Sequence, residues 1–337
     1  MSTDNSESRN SIGRRRFLKS IFGLGALIED SVDAKSQGSD ASDSASHNLQ
    51  TGKSKTLKSR LGQTGEVPPH PPVFVWGDLK TGQVGFPTGL YLGTGMPGST
   101  MKIVAAAALH EEGLISPNQI YECSGQITLH KETFTCLHAH GRVNLTHAIA
   151  KSCNVFFVQA VEKLHTKTFL DYARKFGLDQ PIAGRKSGPF PAQASGPSYR
   201  YVLGLAEDMR PHALQLLRMS ATVATMGDVP FLHSAEDPDD GDRFRLQLSE
   251  GTWHRLQQGM QLACTEGTAQ KLDPENKLHI AAKTGTAPNG SKFTSWITGY
   301  FPYENPKHVF VVGSSAGNSQ EAAVPQAHKF LLSTTWP

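Results

Sequence analysis

Hydrophobic positions alternate in short runs near both ends of the folded part of the chain and recur at helical spacing in its middle. Val73-Phe74-Val75-Trp76 is a β-type run, Asp78-Leu79-Lys80-Thr81-Gly82 a turn, and Gln83-Val84-Gly85-Phe86 a return, which predicts a hairpin. After Pro97-Gly98 the alanine-rich stretch 99–109 closes at Gly113, which predicts a helix with Ser99 at its N-terminus. Helical periodicity then covers 145–164, 169–176, 211–226 and 250–262. Strand patterns return at 278–286, 293–301 and 309–314, and a last helix is predicted from about 321 to 332. Strands at both ends with helices between them predict an α+β, or mixed α/β, domain. Its antiparallel sheet is formed from both chain ends and flanked by helices, with an all-helical insertion. No internal repeat is visible.

The first 68 residues read differently. Residues 35–68 are rich in Ser, Asp, Lys and Gly and nearly empty of large apolar side chains, which predicts a disordered linker. Ahead of it, Gly13-Arg14-Arg15-Arg16-Phe17-Leu18-Lys19 and a short, glycine-diluted apolar stretch resemble a twin-arginine export signal. Val32-Asp33-Ala34 offers small residues where a peptidase would cut. The alternative is a basic amphipathic start that folds onto the domain; against it, the apolar stretch has no helical stripe and ends at Glu29-Asp30. The expected organisation is an export signal over 1–34, a linker over 35–68 and one domain over 69–337, in a periplasmic or otherwise extracytoplasmic, oxidising location.

Charge and composition narrow the class. Across 337 residues, 33 Lys+Arg face 30 Asp+Glu, a net of +3. That is too weakly basic for a nucleic-acid footprint, so no nucleic-acid partner is expected. The hydrophobic share of 38% supports a packed core, and no run of about 18 apolar residues is present to span a bilayer. Four cysteines, at 123, 136, 153 and 264, contain no Cys-x-x-Cys pair and hence no zinc-finger or thioredoxin pattern.

Three short motifs carry candidate chemistry. In Ser99-Thr100-Met101-Lys102, helical spacing puts the two end side chains on one face. Lys102 also lies in a first turn, where the helix dipole disfavours its ammonium form. A neutral lysine beside a serine hydroxyl can take its proton and make a nucleophile. Ser152-Cys153-Asn154 is one of several Ser-x-Asn triplets, but only Ser152 opens or interrupts an apolar helical segment in mid-chain. Lys283-Thr284-Gly285 has rivals at Lys80 and Lys186, which lie in turn and loop contexts, whereas Lys283 continues a strand into Thr286. A glycine there admits a substrate backbone to the strand edge, and the lysine offers a cation to a carboxylate.

In this order and these contexts the motifs resemble the transpeptidase domain of the penicillin-binding proteins, with the closest likeness to the monofunctional, class B type. The resemblance runs from about 73 to 334. It also includes Gly113-Leu114-Ile115, His140-Gly141-Arg142-Val143-Asn144-Leu145, Gly267-Thr268-Ala269 and Gly299-Tyr300-Phe301-Pro302. Arg210-Pro211-His212-Ala213-Leu214-Gln215 departs from the family's usual Thr-Pro-Leu-Gln-like stretch, and 35–68 is too short for the pedestal domain that relatives carry.

The resemblance implies a peptidoglycan D,D-transpeptidase that forms a serine acyl-enzyme on D-Ala-D-Ala stem peptides and binds β-lactam antibiotics. Ser99 would be the nucleophile, Lys102 its base, Ser152 a proton relay and Asn154 a holder of the substrate amide. Lys283 and Thr284, with Gly285 and Thr286 beside them, would bind the terminal carboxylate. The backbone N–H groups of Ser99 and Thr286 would form the oxyanion hole. A cell-wall synthase partner protein is expected to replace the pedestal.

No cofactor is expected. His138 and His140, with His130 and His147 near, raise a metal site, but the sequence places no carboxylate or thiolate to complete it, so no metal is expected either. Cys123 and Cys136 flank this loop and, given export, are expected to form a disulfide; Cys153 and Cys264 are expected as buried thiols. The alternatives are a D,D-carboxypeptidase, a serine β-lactamase, and a non-catalytic β-lactam or peptidoglycan sensor. The β-lactamase needs a deacylating carboxylate, and none lies between Asp179 and Glu207.

Overall fold

In the computed structural model the described residues are 72–86, 93–116, 118–236 and 241–336. The export signal expected over 1–34 and the linker expected over 35–68 lie outside them. His70–Pro337 form one compact unit.

The chain enters through β1 (Val73–Asp78) and the short β2 (Val84–Gly85), then makes a 3-10 turn (Gly98–Met101) that runs into α1 (Lys102–Glu111). Four short strands follow: β3 (Tyr121–Cys123), β4 (Gln126–Leu129), β5 (Glu132–Thr135) and β6 (Gly141–Val143). The helical stretch holds α2 (Leu145–Ala150), α3 (Asn154–Ala160), α4 (Thr166–Lys175), α5 (Ser198–Val202) and α6 (Ala213–Ala224). After β7 (Asp228–Val229) and β8 (Phe244–Arg245) comes α7 (Glu250–Thr265). The chain then returns through β9 (Ala281–Asn289), β10 (Lys292–Phe301), β11 (His308–Ser314) and α8 (Val324–Ser333).

The main sheet has the order β2-β1-β11-β10-β9 and every pairing is antiparallel, so both chain ends build it, as expected. Its middle strand β11 is buried along its whole length because both faces are covered. Val309 and Val311 point into the core shared with the helical body, whereas Phe310 and Val312 join a second cluster with Val324, Ala327 and Leu331 of α8. Helix α1 is apolar all round and buried from Lys102 to Leu109, which fits a helix at the centre of the body. Its four consecutive alanines, Ala105 to Ala108, let neighbouring helices approach closely.

Two expectations need correction. The insertion, expected over about 145–270, is not all-helical, because β7 pairs with β8 there; ahead of it, where no element was expected, β3 pairs with β6 and β4 with β5, each as a small two-stranded ribbon. Those strands are two to four residues long, too short for period-two alternation to register against helical patterns. The continuous helix expected over 145–164 is broken after Ala150, where Ser152 takes a positive φ of 53° before α3 begins.

Candidate active site

Ser99 sits in the 3-10 turn and Lys102 is the first residue of α1, so the Ser-x-x-Lys spans the junction of the two helix types. Ser99 is half-buried, while Lys102 is completely buried. The Lys102 Nζ donates to the Ser152 carbonyl at 2.7 Å, to Ser152 Oγ at 3.3 Å and to Asn154 Oδ1 at 2.5 Å.

The break between α2 and α3 is what aims the second motif. The Cys153 N–H donates to the Ala148 carbonyl and the Ser152 N–H to the Ile149 carbonyl, a Schellman closure of α2 with Ser152 where glycine is usual. A side chain in this left-handed region costs about 1–2 kcal/mol. In return Ser152 Oγ points back at the lysines. Cys153 then caps α3 by accepting from the Phe156 N–H at 3.4 Å, and Asn154 Nδ2 donates to the Thr135 carbonyl at 2.6 Å.

The third motif lies on β9, the edge strand of the sheet, which abuts the 3-10 turn. Gly98 has φ +55°, and a Cβ there would stand 2.6 Å from the Thr286 nitrogen and 2.5 Å from its carbonyl oxygen. Only glycine admits this approach, which brings Ser99 beside the Thr286 backbone. Gly98→Ala is therefore expected to lower stability by about 1–3 kcal/mol and to separate the turn from the strand. A denaturant midpoint unchanged from wild type would contradict the close approach.

Around Ser152 Oγ the two lysines converge: Lys283 Nζ donates to it at 2.9 Å and to the Thr284 carbonyl at 2.9 Å. Burial pushes the Lys102 amine down to about 8, opposed by the sulfurs of Cys136 and Cys153. Burial and then the neighbouring Lys102 charge push Lys283 well below its ordinary value. Two ammonium ions around one hydroxyl in a dry site repel each other, so the pair favours holding fewer than two protons at neutral pH.

A cleft of about 260 Å³ is lined by Ser99, Ser152, Asn154, Thr284, Gly285 and Thr286, all residues the sequence singled out. Lys102 and Lys283 are not in its wall; both stand behind Ser152. Sequence reasoning missed other parts of the wall. Thr135 and Leu137, with Cys136, which was expected only as half of a disulfide, form one part, and Asn318, Ser319 and Gln320 another. The second of these had a readable signal: Asn318 and Glu321 form a capping box, and the Ser319 N–H donates to Thr286 Oγ1 at 3.0 Å. Thr268 Oγ1 meets Thr284 Oγ1 at 2.7 Å, which ties the Gly267-Thr268-Ala269 stretch to β9.

The cysteines do not pair as expected. Cys123 and Cys136 are free thiols with their sulfurs 3.8 Å apart, beyond the ~2.05 Å of a disulfide bond. Cys153 is not isolated either: its sulfur is 3.9 Å from that of Cys136. His140 Nδ1 is 3.4 Å from the Cys123 sulfur, so the fold places three thiols beside a histidine where the sequence placed none. Cys264 is buried elsewhere, as expected. His130 and His147 pair instead with Glu162 and Glu266.

Compared with known proteins, residues 86–331 match the model of the penicillin binding protein transpeptidase domain. The chain is 28% identical over 271 residues to the penicillin-binding protein PbpB of Mycolicibacterium smegmatis, covering 69% of this chain and 42% of that protein. It is 26% identical over 258 residues to the peptidoglycan D,D-transpeptidase PbpA of the same organism, covering 67% and 51%. Its fold is similar to a chain of a peptidoglycan synthase complex that coordinates polymerization and crosslinking, with TM-score 0.69, 25% identity and coverage of 78% and 55%. It is also similar to Pseudomonas aeruginosa PBP2 in complex with WCK 5153, with TM-score 0.66, 21% identity and coverage of 77% and 73%. The chain thus spans about half, or less, of the length of these curated relatives.

Proposed function

The chain belongs to the penicillin binding protein transpeptidase domain family, and from that premise we propose that it is a serine D,D-transpeptidase acting on peptidoglycan stem peptides. The observation that carries the reading is the convergence of two buried lysines on Ser152 Oγ, behind a cleft that Ser99 and β9 share.

The stem peptide lies along the free edge of β9 as an added strand, with its terminal carboxylate held by the hydroxyls of Thr284 and Thr286. Lys283 acts from behind them as a charge, because it is fully buried and hydrogen-bonded to Ser152 and Thr284. An arriving carboxylate stabilises the cation on Lys283, which leaves Lys102 as the neutral member of the pair. Ser99 Oγ attacks the carbonyl of the penultimate D-Ala and its proton passes to Lys102 Nζ. The N–H groups of Ser99 and Thr286 receive the oxyanion, where one lost donor typically costs about 10²–10³ in rate. The C–N bond to the terminal D-Ala then breaks, Ser152 relays the proton to the leaving amine, and Asn154 holds the substrate amide. The amine of a second stem peptide then attacks the ester carbonyl, the C–O bond to Ser99 breaks, and the amine's proton passes through Lys102 back to Ser99 Oγ.

A base of this kind works only when deprotonated. The acylation rate with a β-lactam is therefore expected to rise with pH and level off above an inflection near 8, set chiefly by burial of Lys102. A rate that is flat from pH 6 to 9 would remove Lys102 as the base.

By the same reading Arg14 and Arg15 direct export, and a cell-wall synthase partner docks on the chain, a role the synthase-complex relative supports. The deciding experiment incubates the protein with strands polymerised from lipid II and separates the muropeptides. Cross-linked dimers with released D-Ala are expected. Tetrapeptide monomers alone would make it a carboxypeptidase, and no release of D-Ala would overturn the enzymatic reading.

A further inference from the structure

The four groups Cys123, Cys136, His140 and Cys153 lie at a Cys-x12-Cys-x3-His-x12-Cys spacing and converge so that all four donor atoms fall within 4.8 Å of one another. We propose that they bind one zinc ion, and that the ion fixes the Ser152–Asn154 elbow and the adjoining Thr135–Leu137 wall of the cleft in one geometry. The metal-binding claim stands by itself; its consequence for acylation rests on the acyl-transfer reading above.

Distances fit the chemistry. Zinc in a tetrahedral site takes sulfur at ~2.3 Å and nitrogen at ~2.0–2.1 Å, so ligand atoms stand about 3.8 Å apart between sulfurs and about 3.5 Å between sulfur and nitrogen. The observed separations are 3.8 Å for Cys123–Cys136, 3.9 Å for Cys136–Cys153 and 3.4 Å for Cys123–His140 Nδ1. Three thiolates with one imidazole select zinc over harder ions such as magnesium or calcium. A disulfide fits the cluster less well, because any bridge among three cysteines strands the third beside the histidine.

The frame around the donors is built to hold them. His140 N–H donates to the Cys123 carbonyl at 3.1 Å and Cys136 N–H to the Gly125 carbonyl at 2.8 Å, so the ligand-bearing loops are tied by backbone bonds. The His138 ring packs edge-on against His140 with centroids 4.7 Å apart. The backbone N–H of Phe156 donates to the Cys153 sulfur at 3.4 Å. Such an N–H stabilises negative charge on the sulfur, as a metal-bound thiolate requires. On binding, the thiol protons leave to solvent and the filled site carries one net negative charge.

Position gives the site its consequence. Cys153 is the middle residue of Ser152-Cys153-Asn154, and Cys136 lies between Thr135, which accepts from Asn154, and Leu137 in the cleft wall. Releasing the ion frees both walls to shift, and a displacement of about 1 Å at a catalytic group costs up to about 10²-fold.

The test uses the full chain purified without chelators. Elemental analysis is expected to give about one zinc per chain, and thiol titration of the denatured, unreduced protein four thiols. Cobalt exchanged into the site should give the intense visible absorption of a tetrahedral thiolate complex. Cys123→Ser should lose the metal and acylate about 10- to 100-fold more slowly, still at Ser99, whereas His140→Cys should retain about one zinc. Two thiols and no metal would establish the disulfide instead, and four thiols that take up no added zinc or cobalt would overturn the site. Neither outcome needs a variant to fold. Zinc binding without any β-lactam adduct at Ser99 would leave the metal site standing and sink the acyl-transfer reading.

Discussion

Ser99→Ala abolishes covalent labelling by a β-lactam, and the mass of the intact protein no longer rises by one drug molecule. The expectation follows from geometry and from bond chemistry. Ser99 lies in the cleft beside Thr286 because Gly98 lets the 3-10 turn and β9 meet. A strained lactam presents its carbonyl to that hydroxyl, and ring opening leaves the amine tethered in the cleft, where it obstructs the incoming acceptor. The ester should then outlast a brief gel-labelling experiment, since sequence supplies no carboxylate between Asp179 and Glu207 to activate a deacylating water. Loss of the oxygen removes the bond itself, so the effect is all-or-none. Ser152 also offers a hydroxyl in the cleft, but Lys102 and Lys283 both donate to it. Labelling of Ser99→Ala at the wild-type level, read by peptide mapping of the adduct, would move the nucleophile elsewhere.

Lys102→Ala slows acylation by about 10²–10⁴, the usual worth of a positioned base. The alanine variant also deprives Ser152 and Asn154 of hydrogen bonds, so it cannot by itself separate base from scaffold. Lys102→Arg makes that separation. A guanidinium keeps the charge and the donors but gives up no proton at accessible pH. The arginine variant is expected to acylate as slowly as the alanine variant and to lose the inflection near 8 in the pH profile. Acylation by Lys102→Arg within about tenfold of wild type would assign Lys102 an electrostatic role instead.

The sheet was legible in the sequence because its long strands carry a pattern that few other structures satisfy. The stretch 309–314 is a short apolar run bounded by turn residues, and it emerges as β11, buried on both faces. The stretch 293–301 likewise emerges as β10. The small ribbons β3–β6 and β4–β5 were not legible, since three- or four-residue strands are specified by the partners they meet rather than by their own alternation. Ser-x-x-Lys, Ser-x-Asn and Lys-Thr-Gly could be picked out as motifs from local context, because each sits at a helix start, a helix break or a strand.

What the sequence determined by itself was the set of elements and the residue types offered at their ends. A local pattern fixes a local backbone, and the apolar spacing says which face turns inward. What only the tertiary structure decided was which ends meet. Lys102, Ser152 and Lys283 are up to 181 residues apart in sequence yet share one hydroxyl, and which of them reach the cleft wall depends on burial that no spacing encodes. The cysteines make the same point more sharply. Read along the chain, Cys123 and Cys136 bracket a loop and invite a bridge, while Cys153 belongs to a helix. The β3–β6 ribbon, the end of β5 and the Schellman turn after α2 carry all three, with His140, to one point. Side chains on separate short elements meet only when packing of the whole body fixes the backbones that carry them, and that is long-range information.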